Sequence, residues 1–192
     1  HEYSQIILVV EGGEIIGYQN DLGVFVWEGI PYAAAPVGEL RWKAPRPVAP
    51  WEGRLQTLSP GNECPTQSRS TSAENNAVDG HEDCLFLNVF APANAENLPV
   101  MYWIHGGANT QGSGSLSLYE GSQLASRHQI VLVSINYRLA TFGWLSHPAL
   151  RSADASPEDN SGNYGTMDQI HGLKWVRDNI AYFGGNPGKV TI

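Results

Sequence analysis

The chain is built from short apolar runs cut by Gly and Pro. Residues 6–30 alternate β-rich runs with turns: Ile6–Val10, Glu11-Gly12-Gly13, Glu14–Tyr18, Asn20–Gly23, Val24–Trp27. This pattern predicts a small antiparallel meander. Residues 31–62 are rich in Pro and Trp without periodicity and are expected to wrap the surface, and the polar stretch 65–82 reads as an excursion loop. The character changes at Leu85. Leu85–Phe90, closed by Ala91-Pro92, then Leu98–Ile104 and Ile130–Asn136 are nearly continuous apolar runs. Such runs predict strands buried on both faces. A Gly/Ser loop over 106–115 and a short helix from about Ser122 fill the gap between the last two.

The strongest helical pattern covers residues 166–183. Thr166 and Gln169 fit a capping box, and Asp168 falls in the expected first turn. Ile170, Leu173, Val176, Ile180 and Phe183 share one arc, and Gly184-Gly185 with Pro187 is expected to end the helix. A further β-rich run, Lys189–Ile192, follows. Strands alternating with helices predict an α/β sheet with right-handed crossovers.

Composition narrows the function. Apolar residues make up 42% of the 192 and charged residues 16%, which is a folding composition. Eleven basic against nineteen acidic residues leave a net charge of −8 and no basic stripe, which argues against nucleic acid as a partner. No apolar run approaches the roughly 20 residues of a membrane-crossing helix. No Gly-x-Gly-x-x-Gly follows a strand and no phosphate-binding P-loop is present, so a nucleotide cofactor is not expected. His81-Glu82-Asp83 lacks a second cluster at ligand spacing, so no metal is expected either.

One segment carries candidate chemistry. The run Met101–Ile104 leads directly into His105-Gly106-Gly107-Ala108. Adjacent glycines let the backbone turn sharply and point N–H groups outward, where they could stabilise an oxyanion. By itself the segment reads equally well as a Gly turn after a strand.

The wider set of motifs resembles the type-B carboxylesterase/lipase family, which includes cholinesterases and fungal lipases. Glu82-Asp83-Cys84-Leu85-Phe86-Leu87-Asn88-Val89-Phe90-Ala91-Pro92 is similar to its acidic-Cys signature. Asn136-Tyr137-Arg138, Gly162–Gln169, Trp175–Ile180 and Phe183–Pro187 follow in the family's order, as do Gly29–Ala33 and Leu40-Arg41-Trp42 before them. The resemblance implies an α/β-hydrolase fold, with a central mostly parallel sheet preceded by the meander. Residues 1–192 would then be the N-terminal portion of a single domain. In the family a Gly-Glu-Ser-Ala-Gly nucleophile elbow would place its Ser about four residues beyond Ile192, with the acidic residue and His later still. The expected activity is cofactor-free hydrolysis of a small-molecule carboxylic ester through an acyl-enzyme, completed by a C-terminal segment of the same enzyme.

The resemblance also assigns roles. The N–H groups of Gly107 and Ala108 would be the oxyanion donors, with Gly106 shaping the turn and Ala108 standing where a third Gly is commoner. Asn109 would face the acyl pocket, and Tyr119 would line the approach to it or pack as a core Tyr. His105 would support the loop rather than act as a base. Cys64 and Cys84 would close an Ω-like loop with a disulfide; two buried free thiols are the alternative. The loop 65–83 has no aromatic residue, so the choline-stacking Trp of cholinesterases has no counterpart. Buried ion pairs are expected between Glu82 and Arg41 and between Arg138 and Asp159. The family is largely secreted and the chain has no Asn-x-Ser/Thr sequon, which points to a secreted or periplasmic bacterial esterase. Two other readings remain: a non-catalytic cholinesterase-like interaction protein, distinguished by the residue at the elbow, and a free-standing binding module. The last is disfavoured because a strand at 189–192 is expected to be central in the family's sheet, so a module ending there would leave an unpaired edge and an open core.

Overall fold

The computed structural model describes residues 5–67 and 78–192. Most of the excursion loop expected over 65–82 therefore lies outside the described residues. The meander forms as expected from β1 (Gln5–Val10), β2 (Gly13–Gln19) and β3 (Val24–Pro31), paired antiparallel. The Pro-rich stretch adds a short strand, β4 (Arg54–Gln56), parallel to β2. A two-stranded ribbon, β5 (Thr66–Gln67) with β6 (Val78–Asp79), flanks the polar stretch.

The meander is not a separate unit. β3 pairs antiparallel with β7 (Phe86–Pro92), which carries the sheet on to β8 (Leu98–Ile104), β9 (Val131–Ile135) and β10 (Gly185–Thr191). The spatial order is β1-β2-β3-β7-β9-β8-β10. The sheet is mixed: antiparallel from β1 through β7–β9, and parallel from β9 through β8 to β10. In the parallel part Tyr102 lies opposite Val133 and Ile104 opposite Ile135, so β8 and β9 end side by side. That shared C-terminal edge carries the candidate loop.

Helices cover both faces. α1 (Ser122–His128) lays Ala125 on Val24, Val26, Phe90 and Leu132. A single turn, α2 (Ala140–Gly143), follows β9, and α3 (Tyr164–Asn179) covers the other, larger face. There Trp175 and Phe183 join Trp27, whose ring meets Phe183 edge-on at 4.9 Å. Strands β7 and β9 are buried on both faces, as their apolar runs predict. β8 is not. Val100 and Tyr102 are buried toward α3, where the Tyr102 hydroxyl donates to the Gln169 carbonyl at 2.9 Å, but Trp103 on the opposite face is 38% exposed.

The long helix departs from expectation at its start and on its buried face. It begins at Tyr164, two residues early, with Asn163 at the N-cap and no side-chain cap bond. Thr166 instead accepts a bond from the Trp144 indole at 3.3 Å, so no capping box forms and Asp168 lies beyond the first turn. The buried stripe is Tyr164, Asp168, Gly172, Trp175, Val176 and Asn179. Polar residues occupy this stripe, so an apolar arc read from sequence drifts off it, and Ile170 faces solvent at 48% exposure. The helix tightens into a 3-10 turn over Ile180–Phe183 and stops at Gly184, φ 80°, as expected. A Cβ there would lie 2.3 Å from the Ala95 carbonyl oxygen. β10 starts at Gly185, before the predicted Lys189, and among the described residues it pairs only with β8, which leaves its other side as an edge of the sheet.

Candidate active site

The loop that leaves β8 is held from three sides. The Tyr137 hydroxyl donates to the His105 carbonyl at 2.6 Å, and its ring stacks on the His105 ring at 4.5 Å. The Asn136 carboxamide oxygen accepts the Gly114 N–H at 2.8 Å and the Ser113 hydroxyl at 3.2 Å. The Ala140 N–H donates to the Asn109 carbonyl at 2.7 Å. The segment after β9 thus braces the segment after β8 along its whole length. This follows from the register, because the two strands end opposite each other and their exits run together.

Within this frame the backbone is forced into uncommon conformations. Gly107 has φ 128°, and Ala108 and Asn109 follow at 53° and 60°. Left-handed backbone costs a non-Gly residue roughly 1–2 kcal/mol, so this turn is maintained by its surroundings. The Gly107 carbonyl accepts from the Thr110 and Gln111 N–H groups. The N–H groups of Gly107 and Ala108 donate to no acceptor among the described residues. They are backbone donors left free on an exposed turn at the C-terminal edge of the sheet.

The electrostatic environment is set by burial. Burial lowers the His105 imidazole from its ordinary value, although its bond to the Gly106 carbonyl pulls the other way. Burial thus favours the neutral form of the ring. Burial, and then the neighbouring Tyr119, raises the Tyr137 phenol. Tyr119 itself is half-buried, with its ring 5.2 Å from that of Trp103. It lines a cleft of about 380 Å³ with Met101, Trp103, Leu124, Leu132 and Arg127. This cleft runs along the open face of β8 and includes none of residues 106–109. Asn109 is exposed. Among the described residues no group of three His, Cys, Asp or Glu side chains converges as a metal site.

The disulfide Cys64–Cys84 is formed, with both cysteines buried. It closes a loop of about 20 residues, a constraint worth roughly 3 kcal/mol in the chain-entropy account. The Asn136 amide donates to the Asn62 carbonyl at 2.9 Å, so the segment leading into the bridge at Cys64 is tied to the same brace as the glycine turn. Glu82 and Arg41 pair as expected, through two contacts, but at the surface rather than in the interior. Surface pairs contribute little to stability.

The expected pairing of Arg138 with Asp159 is not formed. Arg138 is clamped by Asp168, Nη2 to Oδ1 at 2.7 Å and Nε to Oδ2 at 2.8 Å, with side-chain exposures of 3% and 0%. Asp159 instead binds Arg46 at 2.6 Å and the Ala44 N–H at 2.9 Å. The reason is the buried stripe of α3, which aims Asp168 at the chain leaving β9 and lets it also accept the Arg138 N–H. The two acids sit on either side of Tyr164: its hydroxyl donates to the Asp159 carbonyl, and its ring lies under the Arg138 guanidinium. The apolar pattern does not mark Asn136 and Tyr137 as loop braces; the signal in the sequence is their place directly after a buried strand.

Comparison with known proteins agrees with this architecture. The family model described as "Carboxylesterase family" matches residues 4–192. The para-nitrobenzyl esterase of Bacillus subtilis (strain 168) is 44% identical over 188 residues, which cover 97% of this chain and 37% of that protein. The fumonisin B1 esterase of Sphingopyxis macrogoltabida is 39% identical, over 98% and 34%. A solved structure of PNB esterase superposes with a TM-score of 0.84 at 42% identity, covering 97% of this chain and 37% of that one. The chain thus spans little more than a third of the length of these relatives, over which it shares the α/β-hydrolase fold. The chain belongs to the carboxylesterase family.

Proposed function

We propose that these 192 residues are the oxyanion-bearing, N-terminal portion of a serine carboxylester hydrolase domain. The observation that carries this is the pair of free N–H groups, Gly107 and Ala108, on a braced turn at the C-terminal edge of the parallel strands. In this reading a small carboxylic ester lies against that turn. A serine attacks its carbonyl, a histidine takes the proton, and the two N–H groups hold the charge that develops on the carbonyl oxygen. Water then releases the acid from the acyl-enzyme. Asn109 would face the acyl group and Tyr119 the approach to it. The 192 residues contain no Gly-x-Ser-x-Gly elbow, so the triad would come from a complementary segment of the same enzyme. The formed disulfide supports an oxidising location, secreted or periplasmic.

A fluorophosphonate probe tests the division of labour. Applied to the 192-residue chain alone, it is expected to label no serine, and p-nitrophenyl acetate is expected to hydrolyse no faster than in buffer. Covalent labelling of any serine within these residues, or turnover by the isolated chain, would overturn the proposal.

A further inference from the structure

His105 is 2% exposed, and its two ring nitrogens are in very different positions. Nδ1 lies 2.8 Å from the Gly106 carbonyl oxygen. A carbonyl can only accept, so Nδ1 carries the hydrogen. Nε2 is buried and has no partner among the described residues. A neutral ring protonated on Nδ1 leaves Nε2 as a bare acceptor. The opposite tautomer would set a lone pair against the carbonyl oxygen and bury an unmatched N–H. Tyr137 fixes the ring from its face, and Gly112 closes its edge: a Cβ on Gly112 would lie 2.6 Å from both Nδ1 and the Gly106 oxygen.

This bond has a consequence one atom further along. The Gly106–Gly107 peptide is trans, as are the other described peptides. In a trans peptide the C=O and the following N–H point in opposite directions. A carbonyl held inward against the ring therefore turns the Gly107 N–H outward. Gly106 and Gly107 carry no side chain to fix this plane, and without an anchor the peptide is free to rotate. We propose that His105 is a positioning residue: its Nδ1–H holds the Gly106 carbonyl inward, which aims the Gly107 N–H at the substrate oxyanion. The proposal rests on the hydrolase reading above, with the geometry of the peptide as its own separate content.

Two measurements test it. In the labelled chain at neutral pH, long-range proton–nitrogen spectra are expected to show His105 protonated on Nδ1 and bare on Nε2. The opposite tautomer, or rapid exchange between the two, overturns the proposal. The second measurement uses the whole hydrolase carrying this segment. Asn places an amide N–H as many bonds from Cα as Nδ1, whereas Gln places it at the reach of Nε2. His105→Asn is expected to keep kcat within about threefold, and His105→Gln to lose about 10²-fold in kcat with KM nearly unchanged, as for loss of one oxyanion donor. Equal kcat in the two variants overturns the proposal. If the wild-type hydrolase cleaves no ester, the functional reading fails and the tautomer spectrum still decides the role of His105. The same spectrum decides it if His105→Gln does not fold.

Discussion

The glycine turn shows how much a single Cβ can decide. Gly106 has open space where a Cβ would stand. At Gly107, φ 128°, a Cβ would lie 1.9 Å from the Gln111 carbonyl oxygen. The same methyl group should therefore have opposite consequences one residue apart. Gly107→Ala is expected to destabilise the chain by about 1–3 kcal/mol, the usual cost of a strained backbone position, and Gly106→Ala to stay near wild type. Urea unfolding of the two variants checks this, and equal midpoints would contradict it. Ala108 is already in the left-handed region at φ 53°. Its methyl group is tolerated because it meets open solvent rather than a carbonyl.

At the scale of elements, the pairing of Arg138 with Asp168 ties the exit of β9 to the buried stripe of α3. Arg138 also donates to the Lys43 carbonyl at 2.8 Å, so one guanidinium joins three segments. Removing the acid would leave a buried charge without its partner. Asp168→Ala is expected to cost about 3–5 kcal/mol. Glu82→Gln, which breaks the surface pair with Arg41, should have little effect by comparison. Denaturant unfolding of both variants tests the contrast; a small loss for Asp168→Ala would remove this pair from the account of the fold. The braces of Asn136 and Tyr137 depend on the same exit from β9. The glycine loop and the α3 anchor are therefore held by four residues of one short segment, Asn136, Tyr137, Arg138 and Ala140.

For the whole molecule, buried titratable groups give stability a direction with pH. Burial lowers both His105 and His171 from the ordinary 6.5. As pH falls, the unfolded chain takes up these protons first. The histidines thus cost nothing above about pH 6.5, and stability is lost as pH falls toward their folded values. Burial acts to raise Asp159, but the bonds from Arg46 and the Ala44 N–H outweigh it and hold the carboxyl below its ordinary value. Its contribution is present above that value and lost in more acid solution. Glu28 works in the opposite sense, because burial raises it and Glu120 adds to the rise while Tyr18 opposes. The thermal midpoint is expected to fall between pH 7.5 and about 5.5, and Glu28→Gln to steepen the fall toward more acid pH. A midpoint that does not move over this range would contradict the assignment.

The sequence by itself determined the elements and the place of the candidate site. Apolar runs fixed β8 at Leu98–Ile104, and α1 begins at Ser122 as expected, because local periodicity and Gly/Pro punctuation are properties of neighbours in the chain. The strand running into His105-Gly106-Gly107-Ala108 placed the turn for the same reason. Only the tertiary structure decided what depends on residues far apart. It joined the meander to the main sheet, exposed one face of β8, and gave Arg138 to Asp168 instead of Asp159. Polar residues on the buried stripe of α3 hid that pairing, since hydrophobicity cannot report a buried charge whose partner lies 30 residues away. The free N–H groups of Gly107 and Ala108 belong to this second class. Glycines permit such a turn, but its direction is set by Tyr137, Asn136 and the His105 ring, brought to it by the register of two parallel strands.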